Sequence, residues 1–138
     1  MTTNLKDLQP GDTIPALQLP PISRTTLALY AGASGDHNPI HIDLDFARSA
    51  GLPDVFAHGM LSAAYLGRLV TGWAGQERLR RLSLRFTGIT AVHDAPLCTG
   101  RVAERFEQDG EPRLRVELQC ANQNGEVKIA GEAVVAAV

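Results

Sequence analysis

The segment HGMLSAAYLGRLVTGWAG, residues 58–75, constrains the fold more than any other stretch of the chain. It predicts a long helix whose apolar residues lie on most sides instead of forming one stripe: Met60, Leu61, Ala63, Ala64, Leu66, Leu69, Val70 and Trp73. Arg68 carries its only formal charge, and His58, Ser62 and Thr71 make the segment more typical of a buried helix than of a lipid-facing one. A helix that is apolar on most sides must be enclosed by other structure.

The C-terminal half predicts what encloses the helix, because its hydrophobic pattern changes to a period of two. Alternation is present in RLSLRFT (81–87), RLRVELQC (113–120) and VKIAGEAVV (127–135). Between these runs, QDGEP (108–112) and NQNGE (122–126) are typical of hairpin turns. We therefore expect an α+β fold in which a curved antiparallel sheet wraps a long buried helix, because the apolar face of the sheet and the helix cover each other.

Composition limits the function classes. The 138 residues are enough for one domain, and a net charge of −2 gives no electrostatic reason to expect a nucleic acid or an anionic membrane as partner. The first residues, MTTNLKDLQPGD, lack the apolar stretch of a secretory signal. Cys98 and Cys120 fall in predicted strands without metal-ligand spacing, which favours buried reduced thiols. We expect a cytoplasmic protein with no metal site.

The stretch SGDHNPIH, residues 34–41, lies between two segments predicted to be helical and concentrates polar chemistry. One interpretation is purely structural: Gly35 permits the turn, while Asp36 and Asn38 cap local backbone groups. A calcium loop is excluded, because counting from Asp36 the twelfth position is Ala47 where a bidentate glutamate is needed. The third interpretation is a general acid/base pair of Asp36 and His41, facing one cavity across a bend stiffened by proline.

Gly59 is the second candidate feature, because it falls in the first turn of the predicted helix, within AHGML (57–61). The first N–H groups of a helix have no internal partner and lie at the positive end of its dipole. A glycine there lets a carbonyl oxygen come close to the backbone, so the site can stabilise an enolate-like oxyanion. Close helix packing would explain the glycine equally well.

A resemblance gives these residues a reaction. YAGASGDHNPIHIDLDFA (30–47) and LPDVFAHGML (52–61) resemble the hydratase-2 motif of MaoC-like (R)-specific enoyl-CoA hydratases and 3-hydroxyacyl-thioester dehydratases, and the segment that follows it. The resemblance implies a single hot-dog domain over residues 1–138, usually dimeric, that reversibly adds water to a trans-2-enoyl thioester. It implies that Asp36 and His41 share the catalytic water, that Asn38 helps to orient them, and that the Gly59 amide holds the thioester carbonyl.

The resemblance also suggests the partners. The expected substrate is an acyl-CoA or acyl-carrier-protein thioester, with no cofactor, and we expect a homodimer or otherwise a hetero-pair. The candidate substrate-binding residues are Phe46, Val55, Phe56, Met60 and, for the pyrophosphate, Arg85. Burial alone would also explain the apolar members of this set. Two alternatives stay open: a non-catalytic acyl-binding or partner subunit, and a hot-dog thioesterase.

Two features of the sequence bear on these alternatives. A non-catalytic subunit has no need of both Asp36 and His41, and the chain has both. Many relatives carry a proline-glycine-aspartate turn between the second and third strands, where this chain has AVHDAPL (91–97). We expect this region to lie away from the motif, so that the difference leaves the chemistry intact and puts only the subfamily and the acyl length in doubt.

Overall fold

A computed structural model describes residues 4–138 and contains one five-stranded antiparallel sheet and three α-helices. The strands are β1 (Leu17–Gln18), β2 (Leu79–Phe86), β3 (Leu97–Gln108), β4 (Glu111–Ala121) and β5 (Val127–Ala136). The helices are α1 (Arg24–Ser34), α2 (Leu44–Ser49) and α3 (Gly59–Ala74), with 3₁₀ turns at Leu5–Asp7, Pro39–His41 and Gln76–Arg78. The strand order across the sheet is β1-β3-β4-β5-β2.

Strands β3, β4 and β5 form an antiparallel meander that contains two of the three predicted runs, 113–120 and 127–135, and both hairpin turns are confirmed. The third run, 81–87, lies in β2, outside the meander. At the first turn Asp109 and Gly110 both have positive φ, 55° and 78°, which is the conformation that a tight hairpin requires. At the second, the Asn122 side chain accepts hydrogen bonds from the backbone N–H groups of Asn124 and Glu126, both at 3.0 Å. The turn chemistry therefore sets the register of the meander.

Strand β2 lies at the edge of the sheet and pairs with β5 rather than with the next strand in the chain, β3. The pairing is tight: a methyl group on Gly131 of β5 would overlap the backbone carbonyl oxygen of Ser83 in β2. A glycine at this point is what lets the two backbones come together, and β2 becomes one edge of the sheet.

Helix α3 packs against the sheet, as predicted from its apolar sides. Leu66 and Val70 are fully buried in the main core, which also contains Val116 and Val135 from the strands. A second apolar cluster lies beneath α1 and α2 and includes Leu27, Ala47, Val55 and Leu61. Tyr65 of α3 packs against both clusters, so the helix joins the sheet to the two short helices.

The predicted inward face of β2 is only partly covered. Leu84 is half-buried against the core, whereas Leu82 and Phe86 keep 37% and 53% of their surface exposed. Both exposed side chains lie on the edge strand, beside α3. Within residues 4–138 no helix is long and apolar enough to cross a membrane. The cysteines lie in strands, as predicted, and Cys98 faces Cys120 directly across β3 and β4.

Candidate active site

The stretch 34–41 is a tightly bonded connection between α1 and α2. Gly35 ends α1 with a φ of 79°, in the left-handed region that favours glycine. The Asp36 carboxylate accepts a hydrogen bond from the Asn38 N–H at 3.2 Å. The Asn38 side-chain oxygen accepts one from the Ile40 N–H at 3.1 Å and so caps the 3₁₀ turn Pro39–His41. These short polar side chains thus hold the turn that carries Asp36 and His41. Asn38 contributes to it by accepting a hydrogen bond from the backbone of the turn.

His41 points inward from this turn and is only 8% exposed. Its Nδ1 lies 2.7 Å from the backbone carbonyl oxygen of Phe56. Because a carbonyl can only accept, Nδ1 carries the proton and Nε2 is the nitrogen available for proton transfer. The Phe56 ring meets the imidazole edge to face, with ring centroids 5.0 Å apart. Backbone and ring of Phe56 together determine the orientation of His41.

His58 is a site residue that the sequence interpretation did not assign. It precedes α3 as its N-cap residue and is 1% exposed. Its Nε2 lies 3.1 Å from the backbone carbonyl oxygen of Asp36 and so donates to it. Its ring stacks on His41 at a centroid distance of 4.0 Å and an interplanar angle of 27°, and the Tyr30 ring meets it edge to face at a centroid distance of 4.8 Å. A histidine next to the predicted oxyanion glycine was the available signal.

The environment of His58 disfavours protonation of its ring. Burial lowers its pKa from the ordinary value, and the nearby His41 acts in the same direction. The hydrogen bond to the Asp36 carbonyl oxygen raises the pKa but is outweighed. The pKa of Tyr30 is raised, mainly by burial and in addition by the charge of Asp36, which places the phenol near that carboxylate. The two histidines are thus buried, whereas Asp36 beside them is exposed.

Asp36, His41 and His58 also form a group of potential metal ligands, with one donor atom from each lying within 4.8 Å of the others. The arrangement does not fit a metal ion. An imidazole nitrogen binds metal in the plane of its ring at about 2.1 Å. Two nearly parallel rings stacked 4.0 Å apart cannot both direct such a lone pair at one ion. This geometry favours proton transfer over metal binding.

Gly59 begins α3 directly after His58, and within residues 4–138 its N–H has no hydrogen-bond acceptor. A pocket of about 150 Å³ lies beside it, lined by Phe56, Ala57, Gly59, Ser62, Phe86, Gly88, Ile89, Thr90 and Lys128. The hydroxyl groups of Ser62 and Thr90 lie 3.4 Å apart in its wall. Phe56 connects His41 to this pocket: its carbonyl oxygen accepts the hydrogen bond from His41, and Phe56 also lines the pocket beside Gly59.

The predicted substrate-binding residues are dispersed. Phe56 lines the pocket, whereas Val55 is buried in the second apolar cluster. Phe46 on α2 and Met60 on α3 are exposed. Arg85 lies in a separate groove of the sheet, lined also by polar residues of β3, β4 and β5. A role in substrate binding stays a prediction for each of them.

The stretch AVHDAPL was expected to lie away from the motif, but it begins at the site. Ala91 forms a β-bridge with Phe56, and the Ala57 N–H donates to the Thr90 carbonyl at 2.8 Å. The expectation is wrong at this point because the chain after β2 returns alongside residues 56–57. A difference from the relatives in this stretch therefore touches the segment that supports His41.

Comparison with known proteins identifies the fold and the family. The α3 helix wrapped by the curled antiparallel sheet is a hot-dog domain. The R-hydratase PhaJ1 from Pseudomonas aeruginosa superposes with a TM-score of 0.84 at 28% identity, over 96% of this chain and 83% of that one. The family model of the MaoC like domain matches residues 7–103. The chain belongs to the MaoC-like family.

Two relatives by sequence differ greatly in length. The (R)-specific enoyl-CoA hydratase of Rhodospirillum rubrum is 31% identical over 116 residues, which span 83% of this chain and 78% of the relative. The fatty acid synthase subunit beta of Saccharomyces cerevisiae is 32% identical over 109 residues, 71% of this chain but only 5% of the relative. The chain thus corresponds to a small part of the synthase subunits that it matches.

Proposed function

We propose that the protein reversibly hydrates a trans-2-enoyl thioester to the (R)-3-hydroxyacyl thioester, with the whole chain acting as one catalytic domain. One observation supports the proposal: a bonded turn and the segment before α3 bring donor atoms of Asp36, His41 and His58 within 4.8 Å of one another, and His58 directly precedes Gly59 at the start of α3. An acid, a base and an oxyanion donor are the three groups that this addition requires. The hydratase relative of similar length supports the reaction class and the stereochemistry.

In hydration, the Asp36 carboxylate takes a proton from the water whose oxygen attacks C3. His41, carrying a proton on both ring nitrogens, delivers the Nε2 proton to C2 and keeps the Nδ1–H that the Phe56 carbonyl oxygen holds. The proton that Asp36 took from water then returns to Nε2 and resets the pair. Negative charge that develops on the thioester carbonyl is stabilised by the Gly59 N–H at the start of α3. Dehydration follows the same path in reverse. The balance is simple: water supplies OH to C3, and the acid/base pair relays one proton to C2.

The substrate is proposed to arrive as a thioester of CoA or of an acyl-carrier protein, with its carbonyl beside Gly59. We further propose a homodimer. Strand β2 is an edge strand, and Leu82 and Phe86 leave apolar surface exposed along it. A second copy related by a two-fold axis would cover such an edge, and a different partner chain with a similar edge is the alternative.

The decisive assay follows the absorbance of the conjugated enoyl thioester with crotonyl-, octenoyl- and dodecenoyl-CoA, and with one acyl-carrier-protein thioester. We expect the absorbance to fall and the product to be a substrate for an (R)-specific 3-hydroxyacyl dehydrogenase. Release of free CoA thiol without formation of a 3-hydroxyacyl thioester would identify a thioesterase. Binding of the thioester without turnover would identify an acyl-binding subunit. Either outcome contradicts the proposal.

A further inference from the structure

His58 links the catalytic turn to the start of α3. Within residues 4–138, two hydrogen bonds join residues 34–41 to a distant part of the chain: His41 to the Phe56 carbonyl, and His58 to the Asp36 carbonyl. The distant partner in each bond, Phe56 or His58, is one of the three residues that precede Gly59. The other bonds of the turn are local, such as the one between Asp36 and Asn38. The position of Asp36 relative to the helix therefore depends on the His58 side chain.

We propose that His58 is a positioning residue, whose ring fixes Asp36 and His41 relative to each other and to the Gly59 N–H. The inference rests on the proposed function, since it assigns a role within that reaction. One face of the ring packs on His41, its Nε2–H holds the Asp36 main chain, and its own backbone continues into Gly59. A displacement of about 1 Å between such groups costs up to about a hundredfold in rate.

The same contacts argue against a role for His58 in proton transfer. Its Nε2–H is occupied by the Asp36 carbonyl oxygen, and its Nδ1 is buried with no partner. The groups that face the ring are His41, Asp36 and Tyr30. Protonation would place a cation against His41 and turn the buried Nδ1 into a donor without an acceptor, at a desolvation cost. The ring acts in its neutral form, with the proton on Nε2.

Two substitutions separate positioning from simple packing. His58→Leu keeps apolar volume but removes the donor, and we expect kcat to fall about ten- to a hundredfold with a smaller change in KM. His58→Gln places an amide N–H near the position of Nε2, and we expect it to recover most of kcat. His37→Gln is the matched control, because His37 lies in the same turn but is exposed, and its kcat should be unchanged. A folded His58→Leu protein with wild-type kcat would overturn the inference.

A measurement without substrate keeps this inference separate from the proposed function. In a ¹⁵N NMR titration of the histidine side chains, His58 should show the Nε2–H tautomer. It should stay neutral as the pH falls past about 6.5, where an unperturbed histidine gains its proton. In His58→Leu the His41 resonances should shift, while in His37→Gln they should not. An Nδ1–H tautomer, or unchanged His41 signals, would refute the positioning role. An inactive wild-type protein with the expected spectra would refute only the hydratase function.

Discussion

Replacing Gly59 with alanine tests whether the start of α3 receives a carbonyl oxygen. A Cβ at this position would lie 3.0 Å from Cε1 and 3.1 Å from Cδ1 of the Phe86 ring. The contact is with a side-chain ring and not with backbone, so a shift of the ring by a few tenths of an ångström relieves it. Alanine in place of a helical glycine contributes about 0.5–1 kcal/mol of stability. The two effects offset each other, so we expect the free energy of unfolding to change by less than about 1 kcal/mol.

The rate should respond far more than the stability. The added methyl group stands beside the N–H where the thioester carbonyl has to approach, so the hydrogen bond to the developing oxyanion lengthens. Complete loss of an oxyanion donor costs about 10²–10³-fold in kcat. Because Gly59→Ala keeps its N–H, we expect a loss of about ten- to a hundredfold in kcat/KM for crotonyl-CoA. The assay is the loss of enoyl absorbance, run beside a thermal unfolding curve on the same preparation.

Gly72→Ala is the matched control for this substitution. Gly72 lies on the same helix, and a Cβ there meets no atom within 4 Å. We expect it to raise the thermal midpoint slightly and to leave kcat/KM unchanged. A Gly59→Ala protein with wild-type kcat/KM would refute the oxyanion role of this amide. An equal loss in both variants would also refute it, because the cause would then be a general effect on the helix.

Three further predictions concern assembly, backbone packing and acid stability. The wild-type protein should scatter light as a dimer at micromolar concentration and Leu82→Arg as a monomer; a monomeric wild type would contradict the edge-strand proposal. Gly131→Ala should fail to give a cooperative unfolding curve, because its methyl group would overlap the Ser83 carbonyl oxygen. A wild-type thermal midpoint would contradict the close pairing of β2 with β5. Arg80 and Arg113 each donate a hydrogen bond to the Glu111 carboxylate and lower its pKa to about 2, so its contribution to stability is present above about pH 4.5 and is lost as the pH falls from there towards 2. Glu111→Gln should therefore reduce the loss of stability over that pH range in urea unfolding, and an unchanged pH dependence would count against these two ion pairs.

Much of the fold was predictable because local chemistry and the global arrangement agree. The α3 helix was predicted because a segment that is apolar on most sides needs to be enclosed by other structure. The structure confirms it as Gly59–Ala74, packed against the sheet. The pairing of β2 with β5 was not predictable, because alternation indicates that a strand has an apolar face but not which strand lies next to it.

Some residues of the site could likewise be predicted from the sequence, and others could not. Asp36 and His41 were identified because a short motif contains both. His58 was not assigned, because a histidine before a helix has no evident role until the fold brings it onto His41. The supporting role of residues 90–91 was missed for the same reason, since their contact with Phe56 joins segments far apart in the chain. Sequence patterns predict the reactive groups better than the groups that hold them.

The most direct test of the acid/base pair is the kcat of Asp36→Asn, His41→Gln and the double variant with an enoyl-CoA substrate, each measured beside its thermal midpoint. Both substitutions keep the size of the side chain while removing proton transfer, so each should lower kcat by about a hundredfold or more with little change in KM. The double variant should be little slower than the slower single variant, because the two residues act on one water. Variants that fold normally and still hydrate enoyl-CoA at the wild-type rate would reduce residues 34–41 to a structural turn and contradict the account.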